Sequence, residues 1–372
     1  MKRETAQIYV MTHKPFPVPE DEAYVPLHVG RATWLREHGG EESPLLTYQG
    51  DDSGDNISEQ NCYFSELTGL YWVWKNVQAD ITGVCHYRRY LLNKQGYMFT
   101  VPEIKTILNK YDIITTKNLQ LNYSYYEGFG ANHKIGYLDA TEAVIEDLYP
   151  EYAKDFHRLV HEKHTYFGNM LITSKKYYDA YMQWLFDILF EVQRRVKVEE
   201  EDSYHRRIFG FISEFLQYVW IVHNHLTVYE CMVGMLGEKA EVSEVKSCLA
   251  EYFAKGDYAG AKAFFMEARK ARPDILMEAS DVTGELHLCM EVIAIAGLEQ
   301  EAYGTNLLDR LSRFDDLMQY CNRLNRYVVQ EKHGEIEPEL KLWFNEQEIT
   351  DVAHHAAELV MDAAERKTGN ER

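Results

Sequence analysis

Ile81-Thr82-Gly83-Val84-Cys85-His86-Tyr87-Arg88-Arg89-Tyr90 is an apolar run that turns abruptly cationic. Its first five residues read as a buried strand that delivers the polar remainder at its end. In open α/β sheets, ligands sit at the carboxyl ends of such strands. Two adjacent guanidiniums there are costly to place without an anion. Two readings stay open: a diphosphate ligand, or ion pairs to surface carboxylates.

Working outward, Leu67, Leu70, Tyr71 and Trp74 fall at i, i+3, i+4 and i+7, so the spacing predicts one capped amphipathic helix from Ser58 to Asn76. Gln7-Ile8-Tyr9-Val10-Met11 reads as another strand, ending in Thr12-His13-Lys14-Pro15. A Pro-rich loop and an irregular polar region are expected from there to Ser58. Residues 112–115 and 168–172 read as further strands, and Asn122 to His133, dense in Tyr and Gly, as a loop over the site. Tyr177, Tyr181, Trp184, Leu185, Ile188 and Val192 mark one face of a long helix, and Arg206 to His223 another helix.

Five of six Trp and 22 of 27 Tyr precede residue 236, which puts a domain boundary near Met235–Glu238. Beyond it the pattern is helical. Tyr252, Gly256, Ala261, Phe265, Ala268 and Pro273 fall at the spacing of one degenerate tetratricopeptide repeat. Disorder is expected over Arg366 to Arg372.

A net charge of −20 argues against a polyanionic partner such as nucleic acid, while leaving room for one phosphate-bearing ligand held by local cations. The six cysteines show no CxxC pair and read as reduced thiols. Met1-Lys2-Arg3-Glu4 runs straight into a strand-like segment, and no stretch is long and apolar enough to span a bilayer. A cytoplasmic protein, peripheral on the inner face of the plasma membrane, is expected.

Asp51, Asp52 and Asp55, with Gly54 and Asn56, could hold a divalent cation or a ribose and base, or simply cap the next helix. Glu214, in the apolar segment Phe211 to Val222, either answers Arg206 or Arg207 or faces a cleft as a general base. His13, His86, His133 and His164 show no metal-hydrolase spacing. Asn169, beside Gly168, could bond a sugar hydroxyl or close a turn.

Taken in order, several stretches resemble a bacterial family long described as a domain of unknown function and identified with capsular or exopolysaccharide glycosyltransferases. They are residues 8–14, 26–30, 54–58, 66–76, 86–90, Asn122-Tyr123, His133, Gly168-Asn169-Met170, 184–186 and Gly210-Phe211-Ile212-Ser213-Glu214. The resemblance spans about residues 7 to 230 and leaves out the helical tail.

It implies a GT-A-like, Rossmann-like α/β domain over residues 1–235, with an all-α, tetratricopeptide-like domain over 236–372. The implied reaction moves a hexose, galactofuranose in some relatives, from a UDP-sugar to a saccharide or polyprenyl-linked oligosaccharide in capsule, exopolysaccharide or lipopolysaccharide assembly. Thr12, His13, Lys14, Asp51, Asp52, Asp55, Asn56, His86 and Tyr87 would line the donor, with Arg88 and Arg89 on its diphosphate. Gly168, Asn169 and Trp184 would face the acceptor or donor sugar, and Glu214, then His133, would be the base. Many GT-A enzymes end the corresponding strand in Asp-x-Asp, which holds Mn or Mg. His-Tyr-Arg-Arg stands here instead, which puts the metal in doubt and leaves no cofactor firmly implied. The rival reading is a non-catalytic glycan-binding module whose helical tail recruits a protein partner.

Overall fold

Strands covered by helices on both faces need continuous apolar runs rather than alternation, and that is the pattern in the central strands here. The computed structural model describes residues 5–39, 41–276 and 280–369. They form two compact units, Met1–Leu236 and Gly237–Arg372.

The first unit holds strands β1 (Ala6–Thr12), β2 (Tyr24–His28), β3 (Gln49–Gly50), β4 (Ile81–His86), β5 (Arg89–Leu92), β6 (Ile113–Thr116), β7 (Leu119–Gln120), β8 (His164–Thr165), β9 (Leu171–Ser174) and β10 (Val228–Met235). Its helices are α1 (Arg31–Glu37), α2 (Asn61–Phe64), α3 (Leu67–Asn76), α4 (Val101–Leu108), α5 (Tyr125–Asn132), α6 (Gly136–Leu148), α7 (Pro150–Val160), α8 (Lys175–Arg195) and α9 (Ile208–His223). β3, β2, β1 and β4 run parallel, and β9 lies antiparallel between β4 and β6. β10 pairs parallel with β6 through its first half and antiparallel with β5 through its second. Parallel direction brings the ends of β1, β2, β4 and β6 and the start of β9 to one edge. Tyr9, Met11, Leu27 and Val84 face a core shared with α3, α8 and α9, while Ile8, Val10 and Cys85 face the opposite core with Ile104 of α4.

Four local readings change. The expected single helix over 58–76 is broken: α2 stops at Ser65, whose φ is +49°, and α3 starts after Glu66. The break is held by Asn61, which donates to the Ser65 carbonyl at 2.7 Å. The expected loop over 122–133 contains α5, because Ser124 and Glu127 form a reciprocal capping box. The region expected to be irregular after the Pro-rich loop contains β2 and α1, and β10 had no counterpart in the sequence reading. The helix predicted at Arg206 begins as a short 3-10 turn before α9.

The second unit is helical: α10 (Ala240–Ala254), α11 (Tyr258–Ala271), α12 (Glu285–Tyr303), α13 (Leu307–Arg310), α14 (Phe314–His333), α15 (Pro338–Glu346) and α16 (Asp351–Gly369). The segment with tetratricopeptide spacing is the α10–α11 pair. α16 extends to Gly369, into the stretch expected to be disordered, and residues 370–372 of that stretch lie outside those described. Among the described residues no helix is long and apolar enough to cross a membrane.

Glu291 on α12 is 2% exposed and accepts a hydrogen bond from Asn325 Nδ2 on α14 at 2.7 Å. Burial pushes its carboxyl up to about 7, against the Asn325 bond. Tyr320 and Cys321 are titratable groups that feel its charge. Because the folded state holds this proton more tightly, stability is full below the ordinary 4.5, falls as pH rises to about 7, and then levels off. That slope amounts to roughly 3 kcal/mol. Urea melts of the native chain and of Glu291→Gln at pH 5 and pH 8 should show the variant gaining relative stability at the higher pH; parallel behaviour would refute it.

Candidate active site

The break before α3 aims Glu66 toward the end of β4, where the turn Gly168-Asn169 enters β9. Gly168 has φ of +100° and Asn169 of +48°, so the turn adopts a backbone shape that costs a non-glycine residue energy unless its surroundings hold it. They do hold it. Asn169, 2% exposed, donates through Nδ2 to Glu66 Oε1 at 2.9 Å and to the Gly210 carbonyl at 3.0 Å. Its Oδ1 accepts from Ser213 Oγ at 3.0 Å.

The Gly168 peptide is bonded at both ends. Its N–H donates to Glu214 Oε1 at 2.8 Å, and its carbonyl accepts from His86 Nε2 at 2.6 Å. A carbonyl cannot donate, so the His86 proton sits on Nε2. Burial pushes His86 below its ordinary value, and the Arg89 cation adds to that push against the opposing pull of Glu66 and the Gly168 bond. Burial works the other way on Glu66, yet His86, the Asn169 amide and Arg207 together hold its carboxyl below the usual range. The site therefore carries an ionised Glu66 beside a neutral His86 at neutral pH.

Arg89 follows directly. It pairs with His86 in the β4–β5 register, and a methyl group added at Gly168 would lie 4.0 Å from its guanidinium. Among the described residues that half-buried guanidinium has no hydrogen bond or ion pair. Arg88 is also half-buried, and its carbonyl accepts from Leu236 N at 2.8 Å.

The other expected residues divide. Thr12, His13 and Lys14 lie at the end of β1: Thr12 Oγ1 accepts from Lys14 N at 3.1 Å, and the His13 ring meets Tyr87 edge-on at 5.5 Å. Asp52 is half-buried, 3.9 Å from Arg31, and Asp55 is exposed and accepts from Tyr71 Oη at 3.0 Å. Asn56 closes its own turn, accepting from Ser58 N at 3.2 Å. His133 sits in an aromatic patch with Phe129, Tyr204 and Phe211, 4.4 Å from the last.

Two placements correct the sequence reading. Asp51 is fully buried and accepts from Gly30 N, Arg31 N, Ser58 Oγ and Thr68 Oγ1, so it holds the loop together instead of lining a cleft. Trp184 is 3% exposed, its ring 4.8 Å from that of Tyr152, and belongs to the core. Glu66, Gly210 and Ser213 were given no role from the sequence, and Arg207, offered there as a partner of Glu214, acts on Glu66 and donates to Ser65 Oγ at 2.9 Å. The signal was there for Glu66: a lone acid opening an apolar helix that leads to the cationic strand end.

The end of β4 carries the His86 imidazole with the Arg88 and Arg89 guanidiniums after it, and the Glu66 carboxylate lies against His86. Among the described residues the group with metal-ligand spacing, Glu331, His354 and Glu358, lies in the helical unit.

The chain is similar to the apo structure of the WbbM bifunctional glycosyltransferase, with 27% identity and a TM-score of 0.56 over 63% of this chain and 46% of that one. It thus spans less than half the length of that protein. No curated protein matches. The likeness is to a glycosyltransferase, and the family model described as a domain of unknown function, DUF4422, matches residues 7–225, more than half of the sequence. The chain belongs to the DUF4422 family, which the WbbM likeness relates to glycosyltransferases.

Proposed function

We propose that this protein is a glycosyltransferase that moves a hexose from a UDP-sugar onto a saccharide or lipid-linked oligosaccharide acceptor, as in capsule or exopolysaccharide assembly. The observation that carries the reading is Arg89: a half-buried cation without an acidic partner among the described residues, at the edge of a parallel sheet where anionic ligands bind. A diphosphate supplies the missing charge, and a guanidinium meets it bidentately. Arg88 stands beside it on the same turn. Thr12, His13 and Lys14 at the end of β1 would line the nucleotide, with Asp52, Asp55 and Asn56 on the loop after β3. Departure of UDP is then stabilised by fixed cations, without a metal. Galactofuranose is the hexose suggested by the family resemblance.

A screen of UDP, GDP and dTDP sugars for thermal stabilisation tests this. Ligand at about 100 times its dissociation constant should stabilise the first unit by about 2.7 kcal/mol. UDP-sugars are expected to do so and to be turned over. Oligosaccharide binding with no response to any nucleotide sugar would instead favour a glycan-binding module.

A further inference from the structure

We infer that His86 Nδ1 is the base that takes the proton from the acceptor hydroxyl, and that Glu214 is a positioning residue which holds His86 through the Gly168 peptide. The inference rests on the transferase reading. Nε2 is committed as a donor to the Gly168 carbonyl at 2.6 Å, so in the neutral ring the lone pair is on Nδ1. Among the described residues Nδ1 makes no hydrogen bond and is not sealed from solvent. Glu214 instead has Oε1 on the N–H of Gly168, the same residue whose carbonyl holds His86.

The step balances as one in-line displacement. The acceptor oxygen bonds to the anomeric carbon while its proton passes to Nδ1. The bond from that carbon to the diphosphate oxygen breaks, and its electron pair leaves on UDP, where Arg89 meets the charge. The imidazolium that forms is stabilised by the charge of the Glu66 carboxylate. The charged groups around His86 are Glu66 at the start of α3, Arg89 on β5, Glu214 on α9 and, through Glu66, Arg207 before α9. Arg89 pushes His86 toward the neutral form. A diphosphate paired with Arg89 cancels that push and adds negative charge, so ligand binding makes His86 more basic at the moment its basicity is used. Reciprocity then requires that UDP bind with proton uptake.

Three readouts test this on the full chain. Calorimetry of UDP binding to the native protein near pH 6, in buffers of different ionisation enthalpy, should show net proton uptake. The acidic limb of kcat should lie at higher pH than that of kcat/KM. His86→Gln places an amide nitrogen where Nε2 donates to Gly168 and should bind UDP within a few-fold of native, yet lose about 10²-fold or more in turnover together with the acidic limb. Glu214→Gln can still accept from Gly168 N and should lose about ten-fold or less while keeping the limb. UDP binding without proton uptake, an acidic limb that survives in His86→Gln, or a Glu214→Gln variant that loses both turnover and limb would overturn the assignment. A native chain that neither binds UDP nor turns over any UDP-sugar would overturn the transferase reading with it, whereas UDP binding with normal turnover in His86→Gln would sink this inference alone.

Discussion

Arg89→Lys should lower the turnover of sugar transfer by about 10²-fold, the order seen when one preorganised oxyanion donor is removed. Lysine keeps the positive charge but loses the planar fork that matches two phosphate oxygens. The native guanidinium is held beside Gly168 without an acid to compete for it, so it can be aimed at the leaving group before the reaction starts. Charge on the diphosphate grows as the glycosidic bond breaks, and the loss should therefore be larger in kcat than in the affinity for UDP. Steady-state kinetics alongside UDP titration separate the two. Added chelator should leave native turnover within about two-fold, since in the proposed mechanism the cations on this strand end do the work otherwise given to a metal. Full activity in Arg89→Lys, or loss in chelator that manganese restores, would remove the arginine from the mechanism.

The second large effect concerns stability. Asp51→Ala should destabilise the first unit by about 3 to 5 kcal/mol, because one buried carboxylate serves two backbone N–H groups and two hydroxyls that the alanine leaves without acceptors. Those donors come from Gly30 and Arg31 after β2, from Ser58, and from Thr68 on α3, so the residue ties the edge of the sheet to the helix that presents Glu66. Five of the six tryptophans lie before residue 236, and urea unfolding followed by fluorescence therefore reports mainly on this unit. A midpoint unchanged from native would show that the loop is held by other means. Asp55→Ala, which loses one bond from Tyr71 at an exposed position, should cost less than about 1 kcal/mol and serves as the comparison.

The contrast between those two aspartates shows what the sequence can and cannot disclose. Spacing alone located the strand that ends at His86, the strand that ends at Thr12 and the apolar face of α8, since buried strands and amphipathic helices leave periodic marks. The cationic turn at Arg88 and Arg89 was legible for the same reason: charge at the end of an apolar run is conspicuous. Asp51, Asp52 and Asp55 looked alike as a cluster, and only tertiary donors more than a few residues away distinguish the buried one. β2 escaped notice because Pro26 sits inside it, and a proline argues against a central strand. The break at Ser65 escaped because the apolar spacing on either side of it is continuous. That break turns a helix-capping acid into a site residue, and positive φ at a serine leaves no compositional trace. The pairing of Asn169 with Ser213 was similarly hidden, the two being 44 positions apart in sequence and 3.0 Å apart in space.

The place of β10 bears on how the family should be cut. The DUF4422 match stops at residue 225, three positions before β10 begins. Yet β10 is the strand that pairs with Arg89–Leu92 on one side and Ile113–Thr116 on the other. A polypeptide ended at the match would leave both of those strands with unsatisfied edges, one of them in the segment that carries the arginine. Open edges of that kind recruit strands from other copies, so such a fragment would be prone to self-association, and the functional unit of this family is better drawn to include the residues through Leu236.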